Sequence, residues 1–227
     1  MPTKNLQRLA EAVQALGPLA DEVCFVGGSI VELLVTDAAA RRFRPTLDVD
    51  AVVGLTTTNQ YYAFSERLRR QGFREKTDDG VLCRWRCGEL ILDVMPSDAR
   101  ALGFTNRWYE TALSTAWLAQ VDERTRARVA TAPCFVATKL EAFEGRGEGD
   151  YAASHDIEDL LTILDGRAEL GDEVEASPDA LRVFLAHAFA GLLRNRAFLN
   201  VYEGHLDPGR EHIVRARLER IATISSR

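Results

Sequence analysis

The sequence predicts an α/β (α+β) fold, a mixed sheet with flanking helices over residues 1–115 followed by a helical bundle over residues 116–227. Short β-rich runs alternate with amphipathic stretches in the first half, the mark of strands interleaved with helices. After about Thr115 the period becomes helical throughout. A hydrophobic share of 46% in 227 residues supplies a core for one large unit or two small ones and excludes a disordered chain.

Asn5 to Leu16 carries Leu6, Leu9, Val13 and Leu16 at helical spacing and stops at Gly17-Pro18. Glu22 to Val26 reads as a strand, Gly27-Gly28-Ser29 as a tight turn, and Ile30, Leu33 and Leu34 as the start of a second helix. Leu47 to Val53 is the next strand. Asn59 to Gly72 is a helix with Tyr62, Leu68 and Phe73 toward its inner side, and Val81 to Cys87 with Glu89 to Met95 form a hairpin around Gly88. In the second half Ala132-Pro133 opens a helix with Val136, Leu140 and Phe143 on one face, ended by Gly145 to Gly149. Ser154 caps a helix that Gly166 closes. Ser177-Pro178 starts another through Leu181, Phe184, Leu185 and Phe189, and Pro208 precedes the last.

The net charge of -6 argues against a nucleic-acid binder that works by bulk electrostatics, although arginines cluster at Arg41, Arg42 and Arg44, at Arg67, Arg69, Arg70 and Arg74, and at Arg84 and Arg86. The runs are read mainly as solvated faces. No apolar run approaches the roughly 18 to 20 residues that cross a bilayer, and the first twenty residues are charged, so the expectation is a cytoplasmic protein with no membrane partner. Cys24, Cys83, Cys87 and Cys134 lack zinc spacing and are expected as reduced thiols. His187, His205 and His212 are scattered without metal spacing, and Trp85 and Trp108 read as core.

The chemistry gathers on the strands. Gly27-Gly28-Ser29 follows a strand and opens a helix, where backbone N–H groups favour a phosphate, yet it is neither a P-loop nor a dinucleotide fingerprint. Asp48 and Asp50 alternate with Leu47 and Val49, so the two carboxylates project from one side about 6 to 7 Å apart. A hard divalent cation is the usual way to make such a pair tolerable. Asp93 repeats the arrangement between Leu92 and Val94. If its strand pairs beside Leu47 to Val53, three carboxylates surround one or two Mg²⁺ ions, the apparatus of in-line phosphoryl displacement. An EF-hand calcium loop is excluded by spacing.

These residues, in the runs Val26 to Ser29, Arg44 to Asp50 and Leu92 to Pro96, resemble the nucleotidyltransferase superfamily typified by DNA polymerase β, and most of all its AbiEii-type abortive-infection toxin branch. The similarity covers roughly residues 22 to 96, and the interval from Ser29 to Asp48 is long for the family, which implies an extended intervening segment. It implies that Asp48 and Asp50 bind two Mg²⁺ ions (or Mn²⁺), that Asp93 binds one of them and helps deprotonate an acceptor hydroxyl, and that Gly27, Gly28 and Ser29 hold the phosphates of an NTP such as ATP. It further implies that Lys139 neutralises the triphosphate, and that Arg146, Asp156 and Asp159 form a later motif in which Asp156 orients Lys139 or the substrate. The acceptor expected from it is an RNA such as tRNA, a protein side chain or a small molecule such as an antibiotic, with an antitoxin protein as a further partner. The alternative of another class is a non-catalytic nucleotide-binding or antitoxin-binding module on the same fold.

Overall fold

The computed structural model describes residues 3–40, 43–76, 81–146 and 149–224, with Arg146 described by its backbone alone. The chain forms two compact units, Met1–Leu33 with Arg44–Thr131, and Leu34–Phe43 with Ala132–Arg227. The fold is mixed α/β. Its helices in chain order are α1 (Lys4–Leu16), α2 (Val31–Leu34), α3 (Thr58–Arg70), α4 (Ala99–Leu102), α5 (Tyr109–Thr115), α6 (Ala132–Arg146), α7 (His155–Gly166), α8 (Leu170–Glu175), α9 (Asp179–Leu192), α10 (Arg196–Val201) and α11 (Glu211–Ala222). Among the described residues, none is long and apolar enough to cross a membrane.

The strands β1 (Val23–Val26), β2 (Asp48–Val53), β3 (Arg74–Glu75), β4 (Arg84–Cys87), β5 (Leu90–Pro96), β6 (Trp117–Gln120) and β7 (Arg126–Val129) make one sheet in the order β3-β4-β5-β2-β1-β7-β6. Strand β2 is central, antiparallel to β1 and parallel to β5. Gly88, at a φ of 59°, turns the β4–β5 hairpin where the sequence expects it.

One face of the sheet is apolar. Val49, Ala51, Leu92, Val94 and Trp85 are buried there, and Tyr61 of α3 donates its hydroxyl to the Val94 carbonyl at 3.4 Å. The helix is set one residue away from the sequence expectation, with Tyr61, Phe64 and Leu68 buried and Tyr62 63% exposed. Spacing decides this: positions 61, 64, 65 and 68 make one continuous i, i+3, i+4, i+7 stripe, and Tyr62 falls outside it.

Two further expectations are corrected. The boundary lies at Thr131/Ala132 and not after residue 115, because the β6–β7 hairpin belongs to the sheet: Phe25 of β1 pairs with Val129, and Ala130 donates to the Phe25 carbonyl at 3.0 Å. The helix after Gly27-Gly28-Ser29 is a 3₁₀ turn over Gly28–Ile30 followed by only four α-helical residues. The long interval from Ser29 to Asp48 has its own explanation. Its middle, Leu34–Phe43, is part of the second unit, where the Thr36 and Asp37 amides both donate to the Gly166 carbonyl at 2.9 Å. Arg210 reinforces the attachment, 2.7 Å from Asp37 and 2.6 Å from Asp165.

In the second unit α7 is the central helix. Ser154 caps it by accepting from the Ile157 amide, and its buried residues run around most of its circumference, including Asp156, Asp159 and Asp165. Helices α6 and α11 pack against it.

Candidate functional site

The second face of the sheet carries rows of side chains set by register. Directly opposed residues in neighbouring strands point to the same side. Cys24, Val52 and Met95 stand in one row, covered by α5, whose Ala112 carbonyl accepts from the Cys24 thiol at 3.5 Å and whose Tyr109 hydroxyl meets the Met95 sulfur at 3.1 Å. The next row is Val26, Asp50, Asp93 and Arg84. Asp48, two residues before Asp50, stands on the same face, opposite Ile91. The period of two along each strand and a parallel β2–β5 register therefore bring Asp48, Asp50 and Asp93 onto one surface.

Asp93 is 7% exposed and is held by Arg84: Nε donates to Oδ1 at 2.7 Å and Nη2 to Oδ2 at 2.7 Å. The same Nη2 donates to Asp48 Oδ2 at 2.8 Å, while Thr46 Oγ1 donates to Asp48 Oδ1 at 3.0 Å. A planar guanidinium is thus shared between two carboxylates in the geometry that suits it best. Asp48 and Asp93 turn toward Arg84, Asp50 lies against the glycine turn, and among the described residues no three His, Cys, Asp or Glu side chains form a ready-made metal-ligating group. The donor set still fits a hard divalent cation, because every donor is a carboxylate oxygen and the sheet already accommodates a cationic group between two of them.

The turn sits beside these acids. Gly27 has a φ of 67°, and a Cβ placed on it would overlap the Asp50 carboxylate, with Asp50 Cγ only 2.7 Å away. Gly28 has Arg44 Nη2 3.4 Å and Thr46 Cβ 3.5 Å from where its Cβ would be. Ser29 is fully buried, and its Oγ donates to the Val26 carbonyl at 3.5 Å. The segment from Arg44 to Asp48 is fixed by α1: Asn5 donates to the Arg44 carbonyl at 2.9 Å and accepts from the Thr46 amide at 3.0 Å, and Arg8 donates to the Thr46 carbonyl.

Gly27→Ala therefore meets two penalties, a left-handed backbone and a side-chain collision. It should cost about 2 to 4 kcal/mol. Denaturant unfolding of Gly27→Ala, Asp50→Ala and the double variant checks the cause. The double variant should recover at least about 1 kcal/mol relative to the sum of the single changes, as expected for residues in direct contact.

Cys83 reports the field of the cluster. Burial first, and then the charges of Asp93 and Asp50, push its thiol up to about 12, and burial pushes the Tyr61 hydroxyl up to about 12. Both folded values lie above the ordinary 9.0 and 10.0, so the neutral forms are favoured by folding. The associated stability is complete below pH 9 and is lost as pH rises toward 12. Chemical denaturation across pH 8 to 11.5 should show this decline, and it should be shallower in Cys83→Ala than in the unmodified chain. None of the four cysteines forms a disulfide, and Cys24 and Cys134 are fully buried.

Lys139 lies in the second unit. It is 9% exposed, with Nζ 2.6 Å from Asp159 and 3.2 Å from Asp156, and 5.6 Å from the centre of the Phe135 ring. The side chain is buried in an ion-paired triad with the two acids of the later motif. The side chain of Arg146 lies outside the described residues, as do Arg41 and Arg42. Arg84 and Arg44 are the site residues that the sequence reading assigned only to basic clusters. The signal for Arg84 was its alternation with Trp85, which places it on the carboxylate face, while that for Arg44 is tertiary. Trp85 and Trp108 are buried as expected, and His187 and His212 are exposed.

Comparison with protein-family models and with curated proteins found no match to the chain.

Proposed function

We propose that the protein is a Mg²⁺-dependent nucleotidyltransferase that moves a nucleoside monophosphate from an NTP to a hydroxyl acceptor. The observation that carries the reading is the pairing of Asp50 with Asp93 across parallel strands, with Asp48 on the same face and the Gly27 turn pressed against the Asp50 carboxylate. Acids in such a cluster repel one another, and a site that keeps all three beside a close-approach glycine turn suits cation-assisted phosphate chemistry better than a structural role.

In this reading Asp48 and Asp50 would hold two Mg²⁺ ions, for which Mn²⁺ could substitute, and Asp93 would hold one of them. Such cations would neutralise the charge that develops on the attacking and leaving oxygens. Asp93 takes the proton of the acceptor hydroxyl as its oxygen bonds to the α-phosphorus. The bond from that phosphorus to the bridging oxygen breaks, and pyrophosphate leaves. Gly27 lets the Asp50 carboxylate stand directly against the turn, and Arg44, beside Gly28, adds positive charge where a triphosphate would lie. Ser29, fully buried with its hydroxyl donated to the Val26 carbonyl, fixes the shape of the turn.

Incubation with each labelled NTP, Mg²⁺ and total RNA tests the reading. Label is expected on RNA, on protein or on a small molecule, with pyrophosphate formed in equal amount. Absence of both overturns it in favour of a non-catalytic nucleotide-binding module.

A further inference from the structure

We infer that Arg84 is the resident cation of the carboxylate cluster: it holds Asp48 and Asp93 in the metal-free protein and is displaced from them when a divalent cation binds. The inference rests on the nucleotidyl-transfer reading for the claim that a cation binds at all. Its own content is the exchange of one positive group for another.

The placement of Arg84 is fixed by the sheet. Strand β4 sets it opposite Asp93, which stands opposite Asp50, so the guanidinium is built into the row and is no incidental surface arginine. Its side chain is 18% exposed, against 10% for Asp93 and 33% for Asp48. Three hydrogen bonds of 2.7 to 2.8 Å direct three of its N–H vectors at three carboxylate oxygens. Those oxygens belong to two of the three acids that would ligate a cation.

Charge gives the direction of the exchange. One guanidinium offsets only one of the three negative charges of the carboxylates, whereas two divalent ions offset all three. A divalent cation attracts the same oxygens about twice as strongly as a guanidinium at equal distance, but Mg²⁺ must first shed part of a tightly held water shell. Arg84 therefore stabilises the site without metal and lowers its affinity for free metal, so that occupancy depends on the conditions that release the guanidinium.

Two measurements on the full chain test this. Titration calorimetry with Mn²⁺ should give at least about tenfold tighter binding for Arg84→Gln than for the unmodified protein, because a competing positive charge is gone. Arg84→Lys should fall between them, since an ammonium cannot fork onto Asp93. In the unmodified protein, the Arg84 Nε–H resonance in ¹⁵N NMR should be protected from exchange without metal and lose that protection in step with Mg²⁺ binding. Binding of Mg²⁺ with the Arg84 resonance unchanged, or equal Mn²⁺ affinity in Arg84→Gln, overturns this inference alone. Binding of Mn²⁺ by neither protein overturns it together with the proposed cation-dependent activity.

Discussion

Asp50→Asn is expected to reduce Mg²⁺-dependent pyrophosphate release by about a thousandfold or more, the loss that follows from several kcal/mol of transition-state charge stabilisation. The stability of the fold should be nearly unchanged. Asparagine has the shape of aspartate, so the contact with Gly27 survives, and removal of one of three neighbouring negative charges relieves repulsion with Asp93 across the strand pair. Asp98→Asn is the matched control. Asp98 caps α4 and pairs with Arg100 at the surface, so this change should leave turnover within about twofold, an exposed pair being worth little. Pyrophosphate release together with melting temperature separates the outcomes. More than a tenth of normal activity in Asp50→Asn, in a protein that melts normally, would remove the proposed chemistry.

Lys139→Met should be the most destabilising single change in the second unit, at about 3 to 5 kcal/mol. The ammonium lies between Asp156 and Asp159, both buried on α7, and methionine would leave their carboxylates close together with that positive charge withdrawn. Like charges so placed in a poorly hydrated interior cost far more than the same pair at the surface. The triple variant Lys139→Met, Asp156→Asn, Asp159→Asn should recover most of the loss, because the cost lies in uncompensated charge and not in volume. Arg215→Met, which breaks an exposed pair with Glu219, should change stability by less than about 0.5 kcal/mol. Urea denaturation of the four proteins distinguishes these expectations. Equal stability of Lys139→Met and the unmodified chain would show that the triad contributes nothing to the fold.

Much of the site follows from short-range pattern. The alternation of Asp48 and Asp50 with apolar neighbours, and of Asp93 with Leu92 and Val94, states which face each acid takes, because a strand has a period of two. The hairpin around Gly88 and the cap at Ser154 are also local chemistry, satisfied within a few residues of chain. Where the local signal was short or ambiguous, the reading erred. The phase of α3 turned on one residue between Tyr61 and Tyr62, and the four-residue strands β6 and β7 were submerged in a stretch read as helical.

What the sequence determined by itself is therefore the identity of the acids, the face each occupies on its own strand and the presence of a bare glycine turn after β1. Only the tertiary structure decided that Asp93 stands opposite Asp50, that the turn lies against Asp50, and that Arg84 joins Asp48 to Asp93. It also turned Lys139 inward, onto two carboxylates seventeen and twenty positions further along. The physical reason is range. Side-chain direction is imposed by adjacent peptide units, whereas strand register and charge neutralisation are settled among groups far apart in the chain, by the requirement that buried polar groups find partners.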